Sequence, residues 1–437
     1  MKRIARTIPD RISGDFKLKA LQWSQQFDEV FFLESNKESQ VSKQKYTEVD
    51  AILAIGTQAK ISIDFENAFE QLKDFRNQHN DYLFGFFSYD LKNDIEALSS
   101  GLDDEIGFPD LYFFQPKKIM SWKNGKLELL YLERYAAQMD ADIEAIQSLS
   151  VPQQSNSNNL NIRAKIEKQS YFKKVSHILD HIHRGDIYEV NFCQEFYAKD
   201  ALIDPISVYQ SLNTISEAPF ASFVKIEDKY LLCSSPERFV KKQGDKVIVQ
   251  PIKGTARRVE DQNEDDLLAK GLSDDPKERA ENIMIVDLIR NDLSKNAVKG
   301  SVFVEELCKV YSFKQVHQLI STIVCEVDSI SNEIDIIKDL FPMGSMTGAP
   351  KISAMKIIEE EEETKRGLYS GAVGYFSPVG DFDFNVVIRS ILYNASKNYA
   401  SFSVGSAITS LSIIENEYEE CLLKAKALQQ VLRSGSS

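Results

Sequence analysis

Short apolar runs rich in β-branched and aromatic residues recur along the first third of the chain. They run from Glu29 to Leu33, Tyr82 to Phe87, Leu111 to Phe114 and Leu127 to Leu132, and each predicts a buried strand. Lys123-Asn124-Gly125 predicts a hairpin turn between the last two. Phe65 to Phe75 has the spacing of an amphipathic helix. Further along, Ser170 to Arg184 has helical spacing and stops before Gly185. Strand patterns follow at 221–226, 230–233, 372–376, 384–391 and 399–404, with three long helices between or after them. The stretch 150–160 is polar and without period, which predicts a linker or long surface loop. The mixture predicts an α+β fold with antiparallel pairs. The expected division is an N-terminal α+β region over 1–150, a linker over 151–162 and a larger region over 163–437.

Composition narrows the function classes. The chain has 437 residues, 43% hydrophobic, enough to bury a large core. Its formal net charge of −14 argues against nucleic acid as a partner, since phosphate binding needs a basic surface. An acidic protein can still hold an anionic small molecule in a local positive pocket or through a divalent metal. The five cysteines, Cys193, Cys233, Cys308, Cys325 and Cys421, include no Cys-x-x-Cys pair, which points to a reducing cytoplasm. No run approaches 18 uninterrupted apolar residues, so no membrane span is expected.

Lys253 is the first candidate for chemistry. The strand pattern Lys246-Val247-Ile248-Val249-Gln250 precedes it, and Pro251 and Gly254 bracket it, which predicts that the strand ends there in a tight turn. A lysine becomes nucleophilic when desolvation or a nearby cation lowers its pKa. The same placement also suits a surface lysine after a strand. Glu237 in Ser234-Ser235-Pro236-Glu237-Arg238-Phe239 is a general acid if burial raises its pKa, or else the partner of Arg238. His317 lies in a helix-like stretch, where a satisfied structural role is equally natural. Arg389 ends the apolar run Val386-Val387-Ile388 and needs a partner, either a bound carboxylate or a structural ion pair.

Two helices carry carboxylates at matching spacing. Asp275-Pro276 opens a helix that puts Glu278 and Glu281 on one face. A C-terminal helix beginning near Asn416 does the same with Glu417 and Glu420, and Lys424 follows on that face. Together the pairs suit a hard divalent cation such as Mg²⁺, although each alone reads as a solvated helix surface. Gly344-Ser345-Met346-Thr347-Gly348-Ala349-Pro350-Lys351 leads into a helix and suits either an anion cradle or a plain cap. Gly405-Ser406-Ala407 reads as a second glycine-bearing turn that presents amides to an anion.

Taken together, these motifs resemble the chorismate-utilising enzymes. The resemblance is strong over about residues 165–430 and weak before them. It rests on Ser234 to Phe239, Pro251 to Thr255, Glu278 to Asn282 running on to Leu293, Gly344 to Lys351, Arg366 to Tyr375, and Glu417 to Glu420, in that order. It implies a large layered α+β sandwich of mostly antiparallel sheets flanked by helices, with the active site between two subdomains. Lysine at position 253 is similar to the branch that aminates chorismate at C4. The branch that makes anthranilate carries alanine there.

The resemblance implies that Lys253 adds to C2 as the C4 hydroxyl leaves, that Glu237 protonates that hydroxyl, and that ammonia then displaces the lysine. It implies Mg²⁺ on Glu281 and Glu420, with Glu278 and Glu417 close behind. It implies substrate contacts at Gly254, Thr255, Thr347, Tyr369, Arg389, Gly405, Ser406, Ala407 and Lys424, and a histidine near the ring at His317. Glu189 departs from the pattern, since most aminating members have glutamine and water-using members lysine. It is expected to orient ammonium or to pair with Lys253. The turn at Gly405 has fewer glycines than usual. Leu33, Glu34 and Ser35 resemble a tryptophan-binding segment, structural or regulatory, while Ala218-Pro219-Phe220-Ala221 resembles the C4-aminating branch. With no nucleophile elbow visible for a glutaminase, ammonia is expected from a separate glutaminase subunit. The remaining alternatives are the anthranilate-forming activity and a non-catalytic regulatory relative.

Overall fold

The computed structural model describes residues 2–8, 15–37, 45–151 and 160–433. The expected linker therefore lies mostly outside the described residues. Twenty strands join in one network of pairing, and the ladders between them are antiparallel. Strands from the two sides of the linker pair with each other. Glu29–Glu34 pairs with Phe220–Ile226, and Leu83–Phe87 pairs with Ala372–Phe376. The hairpin between Leu111–Lys123 and Lys126–Leu132 turns through Asn124 and Gly125, both at positive φ. That backbone twist matches the flanking strands, which is why asparagine and glycine occupy it.

The near-continuous apolar runs have a simple cause. Side chains alternate across a strand, and here both faces are covered. Phe31, Ala54, Val224 and Leu231 pack into one core, whereas their neighbours Phe32, Leu53, Phe223 and Leu232 pack into another. The first core is dominated by aromatic rings such as Phe87, Phe113, Phe376 and Phe384, whose centroids lie 5.0–6.1 Å apart. The second receives Cys421, Ala425, Leu428 and Leu432 from the helix Ile414–Arg433. The result is the layered α+β sandwich expected. The helix Lys168–Arg184 ends at Gly185, which caps it at φ 86°.

Five local expectations are corrected. The strand Lys246–Gln250 does not end at Lys253. After Pro251 it resumes as Ile252–Arg257, and both pieces pair with Val316–Glu326. One extra residue between Ile252 and Thr255 makes a β-bulge, which Gly254 permits at φ 90°. His317 thus lies in a strand, not a helix. The expected strand 384–391 breaks into Phe382–Asn385 and Ser390–Asn394, with Arg389 at φ 52° in the gap. Gly405, Ser406 and Ala407 form no turn, since they continue Tyr399–Thr409 opposite Asn191 to Cys193. The helix expected from Phe65 starts later, at Ala68.

Candidate active site

The bulge aims Lys253 at the strand Glu189–Ala198. Its amine donates a hydrogen bond to Glu189 Oε1, and both side chains are buried. Glu189 sits at the start of its strand, opposite Ala349 on one edge and Thr409 on the other. Gly348 is required there, because a Cβ would stand 2.1 Å from the Glu189 carbonyl oxygen. The stretch 344–351 is thus shaped by backbone packing against Glu189. Its helix, Lys351–Glu361, starts at Pro350 without a side-chain cap, and the Thr347 hydroxyl donates to Met343 O at 3.1 Å.

Burial works to lower the Lys253 pKa, but the carboxylates of Glu189, Glu281 and Glu237 outweigh it and hold the pKa above the usual lysine value. The expected depressed pKa is therefore corrected. In the resting protein the amine is an ammonium, and a base must take its proton before it can attack.

Glu237 has the opposite character. Burial pushes its pKa up to about 7, against the pull of Ser345 and Lys253. The Ser345 hydroxyl donates to Glu237 Oε1 at 2.6 Å. Arg238 does not neutralise it, because Arg238 turns away to Asp383 at 2.9 Å and Gln250 at 2.5 Å. A carboxyl group that holds its proton near neutrality, beside an amine, is suited to protonate a leaving group.

The helix Pro276–Ser294 starts at Asp275, whose side chain accepts from Lys277 N at 2.8 Å and Glu278 N at 3.0 Å. Glu278 approaches the bulge, where a Cβ on Gly254 would meet its Oε2 at 2.9 Å. Burial raises Glu281 to about 7, and its Oε1 is buried without a hydrogen-bond partner. On the C-terminal helix Glu417 accepts from Ser406 Oγ, and Glu420 pairs with Lys424 at 2.6 Å. Burial opposes the Glu420 charge, yet Lys424, Lys277 and Arg389 bring its pKa below the usual value. The Lys277 ammonium feels all four carboxylates. Among the described residues no three acidic, histidine or cysteine side chains close on one point as a ready metal cluster. The donor set is all oxygen, and Glu281 Oε1 accepts no hydrogen bond from a described residue and has only Lys277 at 3.8 Å, which fits a hard cation.

Arg389 is the free cation of the site. Its partly buried guanidinium makes no hydrogen bond or ion pair with a described residue, and burial lowers its pKa against the charges of Tyr369 and Glu420. Tyr369 is buried, with its hydroxyl 3.9 Å from Cys193 Sγ. Thr255 lies in the strand opposite Gln318. Lys424 donates to Gly405 O at 2.9 Å. In a strand the N–H and C=O of one residue point the same way. The Gly405 amide therefore faces the helix side as well.

His317 is fixed between Ser312 Oγ, 2.9 Å from Nδ1, and Asp265 Oδ1, 3.1 Å from Nε2. Arg258, followed by smaller contributions including His317, holds Asp265 well below the usual carboxylate range. His317 ties its strand to the helix Gln262–Asp274.

Two groups escaped the sequence reading. One is Ser345, whose hydroxyl engages the Glu237 carboxyl. The other is Arg366, which is buried and bonds Glu362 at 2.6 Å, Met346 O at 2.7 Å and Asn191 O at 2.7 Å, so it locks three segments around Tyr369. A signal existed for both, since each lies within a quoted motif. Side-chain direction was the missing piece.

A hollow elsewhere is lined by Leu33, Glu34 and Ser35 together with Phe220, Arg238 and Lys241. Its charges are matched. Glu34 meets Lys17 at 3.2 Å and Asn213 at 3.0 Å, and Lys241 meets Glu48 at 3.5 Å.

A layered α+β sandwich holding a buried amine, a neutral-pH acid and an unpaired arginine defines an enzyme built for a small anionic substrate. The family described as chorismate binding enzyme matches residues 28–430, and the chain belongs to it. Aminodeoxychorismate synthase component 1 of Escherichia coli (strain K12) is 34% identical over 367 residues, covering 82% of this chain and 80% of that protein. A protein of Oryza sativa subsp. japonica named "Probable aminodeoxychorismate synthase, chloroplastic" is 33% identical over 80% of this chain, which spans 43% of that relative's length. The crystal structure of anthranilate synthase component I from Streptococcus pneumoniae TIGR4 superposes with a TM-score of 0.78 at 27% identity, covering 89% of this chain and 94% of that one. No helix among the described residues is long and apolar enough to cross a membrane.

Proposed function

We propose that this chain aminates chorismate at C4 to give 4-amino-4-deoxychorismate, the activity carried in the name of its Escherichia coli relative. The observation that carries the reading is the buried Lys253 amine, bonded to Glu189 and within the field of the proton-bearing Glu237. Lys253 gives a proton to Glu189, and its lone pair bonds to C2. Both ring double bonds shift around the far side of the ring, the C4–O bond breaks, and Glu237 protonates the departing oxygen so that water leaves. Ammonia then bonds to C4, both double bonds shift back, and the lysine departs with its electron pair. The covalent step divides one hard displacement into two.

Arg389 and Lys424 suit the substrate carboxylates. Mg²⁺ fits Glu281 and Glu420, with Glu278 and Glu417 behind them, and would supply positive charge toward a substrate carboxylate. Ammonia is taken to come from a separate glutaminase subunit, and the hollow at Leu33 to Ser35 is read as a tryptophan site. Five unpaired thiols, all buried, suit the cytoplasm.

The test is product analysis with chorismate, Mg²⁺ and ammonium. Aminodeoxychorismate without pyruvate is expected, and Lys253→Ala should abolish it. Fluorescent anthranilate with pyruvate from the unmodified chain would replace this reading with the anthranilate-forming one.

A further inference from the structure

Glu189 grips Lys253 with one oxygen only. Its other oxygen, Oε2, is buried and lacks a hydrogen-bond partner among the described residues. The whole side chain is 0% exposed, so bulk water does not compensate. The charged groups that face it are Lys253 on the bulged strand and Glu281 on the helix Pro276–Ser294, with Glu237 beyond Lys253. The strands on either side bring register partners Ala349 and Thr409, neither of them charged. Lys253 thus faces three carboxylates, of which Glu281 alone also meets a second ammonium, Lys277 at 3.8 Å. A buried carboxylate oxygen without a donor is costly, and the deficit is of positive charge and N–H groups together.

We infer that Glu189 Oε2 is the seat of the incoming nitrogen, which binds there as ammonium and gives Glu189 the proton that frees its lone pair. This rests on the reading of the chain as a chorismate-aminating enzyme. The step balances. Ammonium yields one proton to Glu189, and the resulting ammonia forms the C–N bond at C4 as the lysine departs. Glu237 has given one proton to the leaving hydroxyl, and the proton that Glu189 took from Lys253 replaces it, which leaves Glu189 charged when ammonium binds. The proton then taken from ammonium returns from Glu189 to Lys253 as the lysine departs. The sum is ammonium plus alcohol giving alkylammonium plus water. A glutamine at this position would offer an acceptor oxygen without charge and would not remove the proton.

The apparent KM for total ammonium, measured against pH with saturating chorismate and Mg²⁺, tests this. A protein that binds ammonium keeps that KM constant over the range in which ammonium is the main species. One that binds neutral ammonia shows it falling about tenfold per pH unit as pH rises. Constancy is expected for the unmodified chain, and the tenfold slope for the residual turnover of Glu189→Gln, whose kcat also falls because Lys253 loses its proton acceptor. Glu189→Asp should restore the constant profile in part. A tenfold slope in the unmodified chain overturns the ammonium seat by itself, even if Glu189→Gln does not fold. An unaltered ammonium KM in a folded Glu189→Gln also overturns it. Absence of the amino product from the unmodified chain overturns both the seat and the reading beneath it.

Discussion

The surroundings of Lys253 and the hollow at Glu34 are built from the same kinds of side chain, yet they differ in how charge is settled. Around Glu34 every acid named has a base at hand. Arg238 has Asp383, Lys241 has Glu48, and Glu34 has Lys17 and Asn213. Around Lys253 the ledger stays open. Glu189 Oε2 accepts no hydrogen bond from a described residue, Glu281 Oε1 has only Lys277 at 3.8 Å, Arg389 pairs with no described residue, and Glu237 keeps a proton near neutrality. A settled hollow can hold a ligand by shape with little rearrangement. An unsettled one gains when substrate, cation or nucleophile brings the missing charge, which favours binding and chemistry together.

The sharpest way to break this contrast is to remove the single amine that serves the unsettled side. Lys253→Ala should destabilise the fold by about 3–5 kcal/mol, because it strands the buried Glu189 carboxylate. Adding Glu189→Gln should recover most of that loss without restoring activity. Chemical denaturation of the two single variants and the double variant gives the coupling. Additive costs would show that the pair is not a unit.

Glu237 offers a smaller and more specific effect. It must carry its proton to act as an acid, so kcat/KM for chorismate should fall as pH rises above about 7. Ser345 pulls that pKa down by bonding the carboxylate. Ser345→Ala should therefore move the alkaline limb to higher pH, by about one unit, the worth of one hydrogen bond to a charged group. A limb that stays in place, or moves down, would remove Ser345 from this role.

Much of the site was legible because its residues sit in ordered motifs. The two Glu-x-x-Glu helices lie where their local patterns put them, Lys253 sits in a bulge of a continuing ladder rather than at a strand end, and Glu189 pairs with Lys253 as one of two expected options. The failures share a cause. Val316 to Glu326 reads without strand alternation because both of its faces are buried, and its His317, Ser321 and Thr322 side chains find partners there. The run at 384–391 is apolar throughout, and apolarity does not report the bend that sets Arg389 at positive φ. Gly405 reads as a turn residue, but it is small because a Cβ would meet Cys193 Sγ at 2.7 Å. The raised Lys253 pKa was hidden because it depends on three carboxylates far apart in sequence.

The comparison also makes a prediction on the settled side. Glu34 is buried and its pKa is raised, chiefly by burial, although Lys17 and Asn213 bond it. Glu34→Gln keeps the shape and the Asn213 contact, and it releases Lys17, whose side chain is 35% exposed and can return to water. Its cost should therefore stay below about 1 kcal/mol, the range of a screened ion pair. Denaturation midpoints for Glu34→Gln and Lys253→Ala, measured side by side, set the two sites on one scale. A loss at Glu34 as large as that at Lys253 would mean that the Glu34 hollow is no more settled than the site where the chemistry is placed.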